Sequence, residues 1–121
     1  MERRRHARLT QPLEGRFRAP WGSFPCRISD ISWGGCFVDA VNTPPAGQPT
    51  VVTVRIGDSS IDIVGRVLNV EQKLGFSVKF SQLTAGHVAA LSTLLGKPPV
   101  RVQKVVDAAE EEVATGSGTS R

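Results

Sequence analysis

Residues 74–80, Leu-Gly-Phe-Ser-Val-Lys-Phe, carry the clearest structural signal in the chain. Leu74, Phe76, Val78 and Phe80 alternate with glycine, serine and lysine. A period of two is typical of a β-strand that buries one face and exposes the other. This stretch therefore predicts a strand whose apolar face belongs to a core that other strands must complete.

The same alternation recurs in the segments that precede this stretch. Further strand-like runs occupy residues 13–19, 24–28, 36–38, 52–56 and 61–67. The segments between them are short, and none is a helix long enough to connect parallel strands. About six strands joined in this way predict an antiparallel sheet that curls into a small barrel or sandwich.

The pattern changes to a helical period after the last strand. Thr84 is placed as an N-cap, and Val88, Leu91 and Leu95 share one helical face. Gly96 is expected to end the helix. One amphipathic helix after an antiparallel sheet is expected to pack across it or to cover one mouth of a barrel.

Composition divides the chain into a folded part and a tail. We expect one domain over residues 1–96, with a flexible basic arm at 1–11, and a tail over 97–121. A short helix is favoured over 101–114, and the end of the tail is expected to be disordered. The sequence contains neither a long apolar run nor an apolar segment after its first arginines, so we expect no membrane insertion, no signal peptide and a cytoplasmic location.

The net charge of +4 is concentrated at the start of the chain. The first 18 residues hold six arginines and two glutamates, whereas the remainder holds nine basic and nine acidic side chains. A protein that binds DNA or RNA non-specifically usually spreads its positive charge along a face. The concentrated charge therefore argues against DNA or RNA as a partner and favours a smaller anion.

Residues that could support catalysis or bind a metal are scarce. His6 and His87 have no cysteine or carboxylate at metal-ligand spacing, and Ser32 has no histidine beside it that would complete a triad. Cys26 and Cys36 lie in strand-like runs and are expected to be buried free thiols. We therefore expect a protein that is not an enzyme and that has no metal and no cofactor.

The basic opening of the chain instead suggests a binding site. Arg4 and Arg8 are spaced so that both guanidinium groups can close on one ligand, whether the segment is helical or extended. A guanidinium group can donate two parallel hydrogen bonds to phosphate oxygens or to the O6/N7 edge of guanine. The alternative is a solvated basic tail, and composition alone leaves both interpretations open.

A second polar segment lies between two apolar runs. Asp30 can accept hydrogen bonds from a guanine edge, Ser32 offers a hydroxyl, and backbone amides near Gly34 and Gly35 can point at a phosphate. The phase break at Ile31 and the two glycines predict a bulge or turn with φ values that other residues avoid. An ordinary Asp-Ser turn is the alternative interpretation.

Three stretches, taken together, resemble the motifs of the PilZ domain, the bacterial receptor domain for cyclic di-GMP: Arg4-x-x-x-Arg8, Asp30-x-Ser32-x-x-Gly35, and Gly75-Phe76-Ser77-Val78-Lys79-Phe80. The resemblance runs from about Glu2 to Leu95. It implies an all-β-dominated fold, a six-stranded antiparallel split barrel with a C-terminal α-helix. The ligand it implies is cyclic di-GMP.

The resemblance also implies roles for the arginines of the arm. Arg4 and Arg8 would clamp guanine and phosphate groups, with the arm folding over the ligand. Arg3 falls where an arginine in this family accompanies an intercalated pair of ligand molecules instead of one. The number of ligands bound by this chain stays open.

On the barrel side, the resemblance implies that Asp30, Ser32 and Gly35, with Gly34 beside them, receive a guanine and a phosphate. Trp33 occupies a variable position of this motif, where it either packs on the barrel or lies beside a base. We expect no attached output domain, so the receptor would signal through an unidentified partner protein. The alternative is an adaptor of the same fold that binds its partner without nucleotide.

Overall fold

The computed structural model describes residues 8–9, 12–100 and 102. Seven strands and one helix follow in this order: β1 (Arg8–Leu9), β2 (Leu13–Ala19), β3 (Gly22–Ser32), β4 (Gly35–Asp39), β5 (Pro49–Ile56), β6 (Ser59–Glu71), β7 (Gly75–Phe80) and α1 (Ala85–Leu95).

Strands β2 to β7 form a closed antiparallel barrel of six strands, so the predicted fold is confirmed. The order around the ring is β3, β2, β5, β6, β7 and β4, and pairing between β3 and β4 closes it. Strand β1 lies outside the ring and extends it along the end of β3, where Arg8 pairs with Ser32 and Leu9 with Ile31. Arg8 and Leu9 are thereby brought to the end of β3.

The barrel interior is filled by the inward side chains of all six strands. In β7, the predicted alternation places Phe76, Val78 and Phe80 in the core. The prediction that Leu74 shares this face was wrong, because Leu74 is 64% exposed and lies in the turn before the strand. Lys73 has a φ of 68° in this turn, which delays the start of the strand to Gly75.

The helix α1 begins and ends where the sequence predicts. The Thr84 hydroxyl accepts a hydrogen bond from the His87 amide, and the Thr84 amide donates to His87 Nδ1, both at 3.1 Å. The predicted face of Val88, Leu91 and Leu95 is buried, and Gly96, with a φ of 84°, ends the helix.

The helix expected over 101–114 lies outside the described residues, apart from Val102. Val102 is buried in the same core as the barrel, and its amide donates a hydrogen bond to the Pro99 carbonyl. In the part of the chain that the structure describes, no helix is long and apolar enough to cross a membrane. The same part contains no group of three or more His, Cys, Asp or Glu side chains able to hold a metal ion.

Candidate functional site

A β-bulge in β3 brings the two polar residues of the second motif onto the outer surface of the barrel. The register between β3 and β4 shifts between Ile28 and Asp30. A bulge adds one residue to one strand, so the alternation beyond it changes phase. Ile28 and Ile31 are both buried as a result, whereas Asp30 and Ser32 are half-buried on the outer side. The phase break noted in the sequence thus lies at Ser29.

The sequence predicted that Gly34 and Gly35 are present because the backbone there needs φ values that other residues avoid, and this explanation was wrong. Neither Gly34 nor Gly35 has a positive φ, so neither needs a conformation that other residues avoid. Gly35 pairs with Lys79 of β7, and a Cβ at Gly35 would collide with the carbonyl oxygen of Val78. A Cβ at Gly34 would meet nothing within 4 Å. The close approach of β4 and β7 therefore requires a glycine at position 35 alone.

The predicted site residues of this segment line one cavity of about 390 Å³. Strands β6 and β7 complete its wall, which consists of Asp30, Ser32, Gly34, Gly35, Cys36, Phe37, Leu68, Ser77, Val78 and Lys79. This volume falls in the range of small-molecule sites, roughly 300–1,000 Å³. The structure therefore brings together all four predicted residues from the turn region of β3 and β4.

Six of the ten wall residues were not named as site residues from the sequence, and Lys79 and Leu68 are the two of these that are exposed. Lys79 lies opposite Gly35 and is exposed. Leu68 lies at a second bulge, between Val67 and Asn69 of β6, and is 55% exposed. The alternation of β7 was a usable signal for Lys79, because it predicts that this residue faces outward. Leu68 likewise continues the outward alternation of Asp62, Val64 and Arg66, so the pattern of β6 predicts its exposure, and the bulge changes the phase only after it.

Hydrogen bonds hold the two sides of the cavity in register. The Phe80 amide donates to the Gly34 carbonyl at 2.8 Å, which ties β7 to the β3–β4 turn. The Ser77 hydroxyl accepts from the Asn69 amide at 3.2 Å beside the bulge of β6. Across the turn itself, the Ser32 hydroxyl donates to the Gly35 carbonyl at 3.4 Å. The wall is therefore built on paired strands and does not depend on a long loop.

The charge of the wall is balanced. Among the described residues that line the cavity, Lys79 is the one cation and Asp30 the one carboxylate. A ligand with two negative charges would need further cations from outside this wall. The backbone pairing of Arg8 with Ser32 brings Arg8 to the edge of the cavity.

Arg3 and Arg4 lie outside the described residues, and Arg8 is described by its backbone pairing alone. Of the two alternatives for Trp33, the structure shows packing in the barrel, where the side chain is 2% exposed. Its Nε1 is buried and has no hydrogen-bond partner among the described residues. Trp33 therefore supports the turn from inside.

Both cysteines are free thiols, as predicted, but only Cys36 is buried as expected, whereas Cys26 is half-buried. Burial raises the pKa of Cys26 to about 11, with a further contribution from the nearby charge of Asp39. Burial also raises the pKa of Cys36 far above the ordinary thiol value. Because the thiolate is the reactive form, neither side chain is suited to act as a nucleophile near neutral pH.

A protein-family model described as the PilZ domain matches residues 2–97. No curated protein sequence matches the chain. The family match covers the barrel, the helix and the opening segment that carries Arg3, Arg4 and Arg8.

Solved structures share the fold. The Bacillus subtilis inhibitor of motility (MotI/DgrA) is 19% identical with a TM-score of 0.65, over 86% of this chain and 53% of that chain. The PilZ domain with c-di-GMP of YcgR from Escherichia coli is 14% identical with a TM-score of 0.52, over 98% of this chain and 100% of that one. The K. pneumonia MrkH–c-di-GMP complex is 17% identical with a TM-score of 0.47, over 100% and 57%. The chain thus spans about half the length of MotI/DgrA.

Proposed function

Since the chain belongs to the PilZ domain family, we propose that it is a bacterial, cytoplasmic receptor for cyclic di-GMP that acts on a partner protein. Residues 1–96 form the ligand-binding domain in this proposal, and residues 97–121 form a tail. The protein senses its ligand and does not transform it, so no catalytic group is required.

The observation that carries the proposal is the convergence of the motif residues on one cavity. Asp30, Ser32, Gly34 and Gly35 line it together, and the backbone of Arg8 pairs with Ser32 at its edge. The two motifs are more than twenty residues apart in the sequence. A fold that joins them around one cavity of about 390 Å³ supports a shared ligand.

The chemistry of the wall suits one half of a cyclic dinucleotide. A guanine edge presents N–H donors, for which the Asp30 carboxylate is an acceptor. Leu68 offers an exposed apolar surface against which a base can lie. Lys79 supplies one positive charge for a phosphate, and the arginines of the arm, Arg4 and Arg8 with Arg3 beside them, supply the others.

Calorimetric titration of cyclic di-GMP into the full chain tests this proposal. Arg4→Ala or Arg8→Ala alone removes a charge-assisted contact worth about 1.5 to 3 kcal/mol, an affinity loss of roughly tenfold to a hundredfold, so we expect the double variant to lose at least about a hundredfold. Lys97→Gln, which removes an exposed cation of the tail, is the matched control and should bind like the unchanged protein. No heat from the folded, unchanged protein would overturn the proposal.

Stoichiometry in the same titration tests the role of Arg3. Two ligands per chain, reduced to one in Arg3→Ala, would support the intercalated pair. One ligand for both proteins would remove that role while leaving the receptor in place. If no nucleotide binds, the result supports the alternative, an adaptor that binds its partner without nucleotide. Variants of Asp30 and Ser32 should then leave partner binding unchanged.

A further inference from the structure

Three outward side chains of the ligand cavity lie in one row across three neighbouring strands. Asp30 of β3 pairs with Phe37 of β4, and Phe37 pairs with Ser77 of β7. Paired residues of an antiparallel sheet present their side chains on the same face. All three are half-buried and line the cavity of about 390 Å³. We call Asp30, Phe37 and Ser77 the base row.

The middle of the base row is an aromatic ring whose position depends on a glycine. Phe37 reaches across to β7, where a Cβ at Gly75 would lie 2.8 Å from the Phe37 Cε2 atom. Because Gly75 has no side chain, the ring can lie against the backbone of β7, two residues before Ser77. Phe37 also lines the cavity and is only half-buried, so part of its surface is open to a ligand. The ring therefore offers a preformed apolar surface for a planar base.

Ser77 supplies a hydrogen-bond donor at one end of the base row. Its hydroxyl oxygen accepts a hydrogen bond from the Asn69 amide at 3.2 Å, beside the bulge of β6. A serine hydroxyl also has one hydrogen to donate. Among the described residues no acceptor takes that hydrogen. The Asn69 contact thus holds the oxygen in place and leaves the hydrogen available to a ligand.

The spacing between the two ends of the base row suits a purine. Asp30 and Ser77 lie on the two sides of β4, so two strand spacings of roughly 4.8 Å separate their backbones by roughly 10 Å. A hydrogen bond of roughly 2.9 Å at each end leaves roughly 4 Å for the edge of one base. An ionised Asp30 is an acceptor and Ser77 is a donor. The row therefore matches an edge that carries both donors and an acceptor.

Guanine has such an edge and adenine does not. Guanine presents its O6 acceptor beside N–H donors, whereas adenine carries an amino donor in place of O6. An adenine amino group would face the donor of Ser77, and the adenine ring nitrogen would face the carboxylate of Asp30. Both ends of the row thus favour guanine.

We propose that Ser77 and Phe37 recognise one guanine of the ligand, Ser77 by donating to O6 and Phe37 by stacking against the base, while Asp30 accepts from the N–H groups. This inference rests on the proposed receptor function. It adds two residues outside the polar motifs to the site and makes Ser77 a determinant of base specificity. The arginines of the arm stay available to the second guanine and to the phosphates.

Two ligands that share the sugar–phosphate ring and differ in their bases test the role of Ser77. We expect Ser77→Ala to bind cyclic di-GMP roughly threefold to tenfold more weakly, because one hydrogen bond is lost. Its affinity for cyclic di-AMP, measured by competition against fluorescent cyclic di-GMP, should not change, so the preference for guanine should narrow by the same factor. A Ser77 that only holds the amide of the bulge would not alter this preference.

Two further variants make the result specific. Ser77→Thr keeps the hydroxyl and should restore both the affinity for cyclic di-GMP and the preference for guanine. Ser60→Ala removes an exposed hydroxyl near the start of β6 and should bind both ligands like the unchanged protein. Urea unfolding of each variant verifies that the barrel is intact.

The role of Phe37 is tested by its contact with the base. In the unchanged protein saturated with cyclic di-GMP, isotope-filtered NMR should show nuclear Overhauser effects between the Phe37 ring protons and guanine H8. Phe37→Leu keeps an apolar side chain and removes the ring, so we expect affinity to fall roughly fivefold to a hundredfold.

The outcomes separate the base row from the receptor function. Cyclic di-GMP binding that is equally tight in Ser77→Ala, with no Overhauser effect at Phe37, would overturn the base row and leave the receptor in place. An equal loss of affinity for both ligands in Ser77→Ala would assign the hydroxyl to the sugar–phosphate ring or to the bulge, and would overturn its role in specificity. No binding by the folded, unchanged protein would overturn the receptor function as well.

Discussion

Gly34 and Gly35 are neighbours in the chain, but only at Gly35 does the backbone of another strand occupy the space that a Cβ would need. In Gly35→Ala, the added methyl group meets the Val78 carbonyl, and the strands β4 and β7 must separate. Overpacking of this kind costs about 1–3 kcal/mol of the free energy of unfolding. Urea unfolding followed by tryptophan fluorescence measures the change.

Gly34→Ala is the matched control for this prediction, because it adds the same methyl group into open space one residue away. We expect its free energy of unfolding to stay within about 0.5 kcal/mol of the unchanged protein. Equal stability of Gly34→Ala and Gly35→Ala would contradict the close-approach explanation.

Lys79 is the described cation in the wall of the proposed ligand site. Lys79→Gln removes one charge that faces a phosphate, so we expect a loss of cyclic di-GMP affinity on the order of tenfold. Because Lys79 is exposed, the free energy of unfolding should change little. Calorimetry and urea unfolding on the same sample separate the two effects. Unchanged affinity would remove Lys79 from the site.

At the scale of single elements, the helix α1 depends on a capping box whose two hydrogen bonds join Thr84 and His87. Thr84→Ala removes the side-chain acceptor for the His87 amide, and we expect a loss of about 1 kcal/mol in the free energy of unfolding. Thr93→Ala is the control, because Thr93 lies exposed within the same helix and alanine has the higher helix propensity. A loss as large in Thr93→Ala as in Thr84→Ala would contradict the assigned role of the cap.

The elements differ in how much of them the sequence could predict. The boundaries of α1 at Thr84 and Gly96 were predicted from capping, and the alternation of β7 predicted its buried face from Phe76 to Phe80, though not where the strand begins. The bulges at Ser29 and Leu68 were not predictable in position, since each depends on pairing with a distant strand. Asp30 and Ser32 lie beyond the bulge of β3 and were therefore identified by their chemistry and family resemblance. Leu68 follows the plain alternation of β6, which shows that it faces outward but not that it lines a site.

For the molecule as a whole, the raised pKa values of the two cysteine thiols are expected to make stability fall at alkaline pH. The folded pKa of Cys26 is about 11, above the ordinary thiol value, and the pKa of Cys36 is raised as well. Above about pH 8.5 the unfolded chain releases thiol protons that the folded chain keeps, so stability is full below this pH and falls as pH rises toward about 11. The chain contains no tyrosine that would titrate in the same range.

Urea unfolding at about pH 8 and about pH 10.5, under reducing conditions, measures this loss. The variant Cys26→Ser/Cys36→Ala should lose less stability between the two pH values, although replacing a buried side chain makes it less stable at both. An equal loss in the variant and in the unchanged protein would assign the pH dependence to other groups.

The central claim concerns the whole barrel surface: cyclic di-GMP binds at the cavity between the β3–β4 turn and β7, beside the start of the chain. The most direct test is an NMR titration of the isotope-labelled full chain with cyclic di-GMP. We predict the largest amide shifts at Arg8, Asp30, Ser32, Gly35 and Lys79, with small shifts around Arg27 and Arg55 on the outer side of β3 and β5. Saturable binding with its largest shifts elsewhere, or no shifts at millimolar ligand, would contradict the account.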